Sequence, residues 1–295
     1  MKREYHFQCT VYLILILTTI SGCEIYSDAL VRPAYQPSLI LHAMLSPQEG
    51  GQAYIKYSEP IDSLTAHSVP ELPEFSVFLY ENGVEKYEYT REEEGHFILD
   101  TANLWLFPDR DYHVEVKSND GQLVLKSGID HLPSILEVLE ARLYQDTSTF
   151  PEKNFIEVAC RFDPGSGGGF HFREDYSVDS GMVFIRGRDL MYGRFSLGGL
   201  YDSRIYPDGT IHETLGSATF IKPEPGSENQ FVNAVQLWIN HLSPGLTRFL
   251  SDVADYRDSG GDPFSTSKPV YSNIEGGYGV FGMYNSWVGV EYIEK

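Results

Sequence analysis

The stretch YSNIEGGYGVFGMYNS, residues 271–286, sets Gly277, Gly279 and Gly282 in the spacing G-x-G-x-x-G. That spacing cradles a pyrophosphate when the glycines join a strand to a helix whose N-terminus faces the phosphates. Here the glycines lead into MYNSWVGVEYIEK, where Val288, Val290 and Tyr292 alternate with Trp287, Gly289 and Glu291. A period of two predicts a strand. With no helix to receive a phosphate, the glycines are expected to serve tight turns and close packing in a terminal hairpin.

Other residue clusters could carry chemistry. In GGGFHFRED, a strand would put His171, Arg173 and Asp175 on one face as a metal or acid–base group, or more simply as a solvated strand end. In DYRDSGGDPF, Asp255, Asp258 and Asp262 could face a calcium ion, but their spacing is not that of an EF-hand loop, and a polar helix end accounts for them. The nine histidines form no H-E-x-x-H, the cysteines no C-x-x-C, and no G-x-S-x-G elbow occurs. No metal, dissociable cofactor or catalytic residue is therefore expected. The abundant carboxylates leave a hydrolase with a paired acid and base as a less favoured alternative. Trp105, Trp238 and Trp287, with twenty tyrosines, could offer stacking platforms to a glycan or a small apolar molecule; aromatic residues are also ordinary strand formers.

The N-terminus bears on the compartment. Lys2 and Arg3 precede an apolar run, Val11–Ile20, and then Ser21, Gly22 and Cys23. A charged start, a short apolar run and small residues form a secretory signal. The run is about half the roughly 20 residues that a spanning helix needs. Ile20-Ser21-Gly22-Cys23 resembles the lipobox of bacterial lipoproteins, which implies cleavage after Gly22 and a covalent lipid on Cys23. Acyl chains worth about 0.8 kcal/mol per buried CH₂ would anchor the protein without a spanning helix. An ordinary signal peptide with a chance cysteine is the alternative. Of the three cysteines, Cys9 leaves with the signal and Cys23 carries lipid, so Cys160 has no disulfide partner. Ile156, Val158, Cys160 and Phe162 alternate onto one face, which makes Cys160 a core thiol.

The balance of 42 acidic to 22 basic residues gives a net charge of −20. Such a chain has no electrostatic footprint for nucleic acid or an anionic lipid surface. Residues 23–37 read as a lipidated tether with two prolines. Leu39, Leu41, Ala43 and Leu45 then share a face, as do Phe75, Val77 and Leu79, and Tyr112, Val114 and Val116. Asn82-Gly83 and Asp120-Gly121 mark hairpins, and Asp62–Glu74 an extended loop. Short strands with these turns predict an immunoglobulin-like sandwich over 38–130, with a barrel as runner-up. A second β-rich domain is expected over 131–295. Within it, HLPSILEVLEARLYQDTS fits neither helical nor strand period. Ser243 as N-cap, Pro244 at the first position, and Leu246, Phe249, Leu250 and Val253 predict a helix over 244–257. The fold class is thus mostly β with one helix near the C-terminal region.

The C-terminal segment also resembles a known family. Pro263-Phe264, Pro269, Ser272-Asn273-Ile274, Gly277, Gly279, Phe281 and Gly282, preceded by VQLWINHLSPGLTRFLSDV, are similar to the signature of a Bacteroidetes lipoprotein family filed as domain of unknown function 4249. The resemblance implies an outer-membrane lipoprotein, on either leaflet, that accompanies a TonB-dependent receptor. It makes Asn273, Gly277, Gly279, Phe281 and Gly282 a structural signature loop. The function it implies is a non-catalytic accessory or ligand-binding protein. A structural or assembly lipoprotein of the envelope without a small ligand is the alternative.

Overall fold

The computed structural model describes residues 36–59, 70–146, 153–163, 168–177, 184–185, 200–202, 208–217, 234–259 and 269–292. Cys23, most of the tether and most of the loop expected at 62–74 lie outside them.

Alternating sequence builds eight strands in the first half. They are β1 (Leu39–Ser46), β2 (Gly50–Tyr57), β3 (Phe75–Glu81), β4 (Val84–Glu88), β5 (Thr90–Glu93), β6 (His96–Leu99), β7 (Tyr112–Ser118) and β8 (Leu123–Ser127). Asn82 and Gly83 both take positive φ (51° and 77°), which turns β3 into β4 as the Asn-Gly pair predicts. Then follow β9 (Glu137–Asp146), β10 (Lys153–Arg161), β11 (Gly169–Ser177), β12 (Phe184–Ile185), β13 (Leu200–Asp202), β14 (Thr210–Ser217) and β15 (Ala234–Leu242). Helix α1 (Pro244–Ser259), β16 (Ile274–Glu275) and β17 (Tyr278–Tyr292) complete the order. The structure is mostly β in several packed sheets, with this one helix near the C-terminus. The helix starts where Ser243 and Pro244 predict and runs two residues past the expected end. No helix among the described residues is long and apolar enough to cross a membrane.

One long sheet organises the molecule, in the order β12-β11-β15-β17-β1-β2-β6-β5, with β13 also on β11. At its centre β17 lies parallel to β1, Ile40 opposite Tyr278 and Leu45 opposite Met283. It continues antiparallel to β15 from Leu242–Tyr284 to Ala234–Tyr292. On one face, the sheet β16-β8-β7-β3-β4 packs against β1 and β2. Leu41, Ala43, Leu45, Val77, Leu79, Val114, Val116 and Phe281 meet there. Further along the same side, the sheet β14-β10-β9 packs against β11 and β15 through Val158, Cys160, Phe162, Phe170, Leu237 and Ile239. The other face is covered by α1, whose Leu246, Phe249 and Leu250 sit against Met44, Val280 and Tyr284. Each face is apolar because successive residues of β17 alternate between these cores, Phe281 and Met283 facing one and Val280 and Tyr284 the other.

Three expectations change. The segment that fitted neither period is strand β9. The pairing shifts between Ala159–Glu140 and Cys160–Val138, so a bulge at Leu139 moves the inward parity from Leu136 and Val138 to Ala141. The arms of the glycine turn meet through one backbone bond, Asn273 N to Gly279 O at 3.3 Å, but they join different sheets: β16 pairs with β8 while β17 pairs with β1, so the turn carries the chain from one sheet to the other. The sandwich expected over 38–130 also takes in Ile274, Phe281 and Met283 from the C-terminal end, because those residues complete its core.

Candidate functional site

The signature loop shows what each of its residues does. Asn273 acts as a substitute strand: its Oδ1 accepts from Phe281 N (2.9 Å) and its Nδ2 donates to Phe281 O (2.8 Å). Ser272 Oγ accepts from Gly279 N (3.1 Å). Phe281, held in this way, is fully buried in the first core. Gly279 takes φ +118°, and a Cβ there would stand 2.0 Å from the Leu41 carbonyl oxygen. A Cβ on Gly282 would meet Leu246 Cβ at 2.5 Å, and one on Gly277 would meet the Leu39 carbonyl oxygen at 2.4 Å. The space beside these glycines is filled by the chain itself, so the spacing G-x-G-x-x-G here is a packing device for β1 and α1, with no room for a phosphate.

A second feature joins the halves of the molecule. Asp130 is 6 % exposed and lies between β8 and β9. Its Oδ2 accepts from Ser243 Oγ (2.5 Å) and Met283 N (2.9 Å). Asp130 also bridges Tyr112 through paired backbone bonds. Ser243 caps α1, accepting from Leu246 N at 3.4 Å. Burial pushes the Asp130 carboxyl up to about 6, against the opposing pull of its hydrogen bonds from Ser243, His131 and Met283. A carboxyl poised near neutrality could serve as a general acid. This one instead ties the linker to the helix cap and the signature strand, with its oxygens shut away from solvent.

A third polar layer runs across the face under α1. The Arg173 guanidinium pairs with the buried Glu49 carboxylate at 3.3 Å and lies 4.2 Å over the Trp238 ring. Tyr284 donates to Glu49 Oε2 at 2.9 Å. His171 Nδ1 meets Asn240 Nδ2 at 3.3 Å, and Ser286 Oγ donates to Asn240 Oδ1 at 2.7 Å. His171 and Arg173 therefore share a face, as the strand reading requires. The solvated strand end expected for them is corrected, because Glu49, from the β1–β2 turn, and Asn240 cover them. Side chains of Glu174, Asp175, Asp258 and Asp262 lie outside the described residues, and Asp255 is an exposed helix position. No group of three histidine, cysteine, aspartate or glutamate side chains converges among the described residues.

The three tryptophans do not form one platform. Trp238 is buried beside Arg173. Trp287, opposite Ile239, packs into the second core on the other face of the same sheet. Trp105 stands alone in the loop between β6 and β7, 71 % exposed. Cys160 is fully buried in the second core, and desolvation pushes its thiol up to about 12. Burial, with Lys56 nearby, lowers His42 to about 4. The Asp130–Ser243 and Glu49–Arg173 pairs carried no local signal, since their partners are 113 and 124 positions apart.

No curated protein matches the sequence. The family model described as Domain of unknown function (DUF4249) matches residues 28–287, which takes in the signature loop, the Asp130 junction and all three packed cores. The chain belongs to the DUF4249 family.

Proposed function

We propose that this protein is a lipid-anchored accessory protein of a bacterial outer membrane, held by acyl chains on Cys23 and working by contact with a partner, a TonB-dependent receptor, without catalysis. The observation that carries the reading is the leader ending in Ile20-Ser21-Gly22-Cys23. Its support in the folded part is consistent with a binding role. Asp130, Cys160 and His42, whose titration burial shifts strongly, all lie in joints or cores. The separation of Trp105, Trp238 and Trp287 favours protein contact over an aromatic platform for a glycan, and keeps the structural or assembly lipoprotein as the second reading.

Metabolic palmitate labelling of wild type and Cys23→Ala, with purification of both from native membranes, tests this. Label that depends on Cys23, together with a co-purifying barrel receptor, is the expected result. A labelled protein that purifies alone after crosslinking would transfer support to the structural reading. Absence of label would end the anchored reading itself.

A further inference from the structure

We propose that the loop Leu104–Asp111 is a docking point at which Trp105 inserts into an apolar socket on a partner protein whose rim is basic. This rests on the accessory reading for the existence of a partner; the surface and its chemistry come from the loop. Trp105 is 71 % exposed and packs on little of its own chain, and Phe107 beside it is half exposed. Exposed aromatics on a mobile loop would mean little, but this loop is held at several points. Trp105 N donates to Tyr87 Oη (3.2 Å), and Phe107 N donates to Oη of the fully buried Tyr112 (2.8 Å). Asp111 N donates to Asn82 Oδ1 (3.0 Å), and Asn82 N returns a bond to Asp111 O (2.8 Å). Arg110 pairs with Glu81 at 3.3 Å and lies 5.7 Å over the Phe107 ring. The backbone that presents Trp105 is thus ordered before any partner arrives, which removes an entropic cost of binding. Tryptophan is among the residues enriched as energetic anchors of interfaces.

Charge selects the occupant. Asp109 and Asp111, 82 % and 52 % exposed at their side chains, flank the aromatic pair with the exposed Asp100. Arg110 is already engaged by Glu81, by Asp109 at 3.8 Å and by Phe107, and His131 meets Asp111 at 2.8 Å, so the carboxylates at the rim outnumber the cations. With a net charge of −20 behind it, this rim repels an anionic bilayer and attracts lysine and arginine. Position agrees. The chain enters the sandwich at Leu39, opposite Tyr57, whereas Trp105 follows Leu99, which pairs with Gly51 at the far end of β2. The eight residues of β1 span about 25 Å between those ends, so the loop faces away from the end where a tether from Cys23 arrives.

The test places benzoylphenylalanine at 105, at 107 and, as a control, at 278, where Tyr278 is 61 % exposed near the tether end. Cells are irradiated and adducts are identified by mass spectrometry. A protein adduct at 105 and 107 about tenfold above that at 278 is expected, with a lysine or arginine adjoining the crosslinked residue. Its yield should fall several-fold when salt rises from about 0.05 to 0.5 M, as the basic rim is screened. Trp105→Ala should weaken retention of that partner about thirtyfold. Equal adducts at 105 and 278, adducts with lipid or glycan only, indifference to salt, or no adduct would each overturn the proposal. Palmitate labelling of the same cells separates the two ideas. Label without an adduct sinks the docking point and spares the anchor; a salt-sensitive adduct without label does the reverse.

Discussion

Two loops at opposite ends of the first sandwich are both held by hydrogen bonds, yet only one of them buries its largest side chains. In the signature loop, Asn273 grips the backbone of Phe281, and the side-chain positions of Gly277, Gly279 and Gly282 are already occupied by Leu39, Leu41 and Leu246. In the loop after β6, the backbone is bonded to Tyr87, Tyr112 and Asn82, but the large side chains Trp105 and Phe107 point outward. The first spends its order on the fold. The second sends Leu104 and Leu106 into the first core but leaves its two largest side chains outside it. Large aromatic rings left outside on an ordered loop mark a surface shaped for something else, whereas the dense glycine signature, which looks the more functional in sequence, marks architecture.

Mutation should separate the loops sharply. The largest effect is expected at Gly279→Ala. The new Cβ would overlap the Leu41 carbonyl, a backbone atom that cannot swing aside, at a φ of +118° that L-residues rarely adopt. Strain and overpacking together should cost about 4 kcal/mol, measured as a shift in the urea midpoint at unchanged slope. An unchanged midpoint would remove the packing account of the signature.

Asp130, which joins the signature strand to the linker beside the Trp105 loop, should give the next largest effect, and it should depend on pH. Its folded-state pKa of about 6 stands above the ordinary aspartate value of 3.8. The folded state therefore binds the proton more tightly than the unfolded state. This group's contribution to stability is full below about pH 4 and is lost as pH rises through about 6, a change of about 2–3 kcal/mol. Urea unfolding from pH 4 to 7 should show this loss in wild type, superimposed on the opposite trend of the other carboxylates. Asp130→Asn should remove it, and identical pH profiles for the two proteins would contradict the burial that raises the carboxyl. Asn273→Ala should follow at about 2 kcal/mol, independent of pH over the same range. It leaves an N–H and a C=O of Phe281 without partners in a part-buried site.

How much of this could be read from sequence follows from the range of the interactions. Strands β1, β3 and β7 were legible because Leu41, Val77 and Val114 and their i+2 neighbours face one core. Asn82-Gly83 and Ser243-Pro244 were legible because a turn and a cap are local chemistry. Strand β9 was not, since its bulge at Leu139 breaks the period on which the reading depends. The parallel pairing of β1 with β17 joins Ile40 to Tyr278, and no local pattern carries a contact across that distance. For the same reason the glycines at 277, 279 and 282 were read correctly as close-packing residues but assigned to a hairpin. Trp105, Trp238 and Trp287 look alike in sequence; only the fold separates one buried and one half-buried on opposite faces of the long sheet from one left outside.

The smallest effect on stability should be at that outside residue, and its smallness is informative. Trp105→Ala removes a side chain that is 71 % exposed, while the hydrogen bond from its backbone N–H to Tyr87 is kept. The urea midpoint should move by less than about 0.5 kcal/mol. Phe107→Ala should cost somewhat more, because Arg110 lies over that ring. A loss at Trp105 comparable to that at Asn273 would mean that the indole supports its own loop, and the contrast between the two loops would disappear. A neutral Trp105→Ala that leaves the fold intact while partner retention falls would place the cost of the exposed ring in the complex and not in the folded chain.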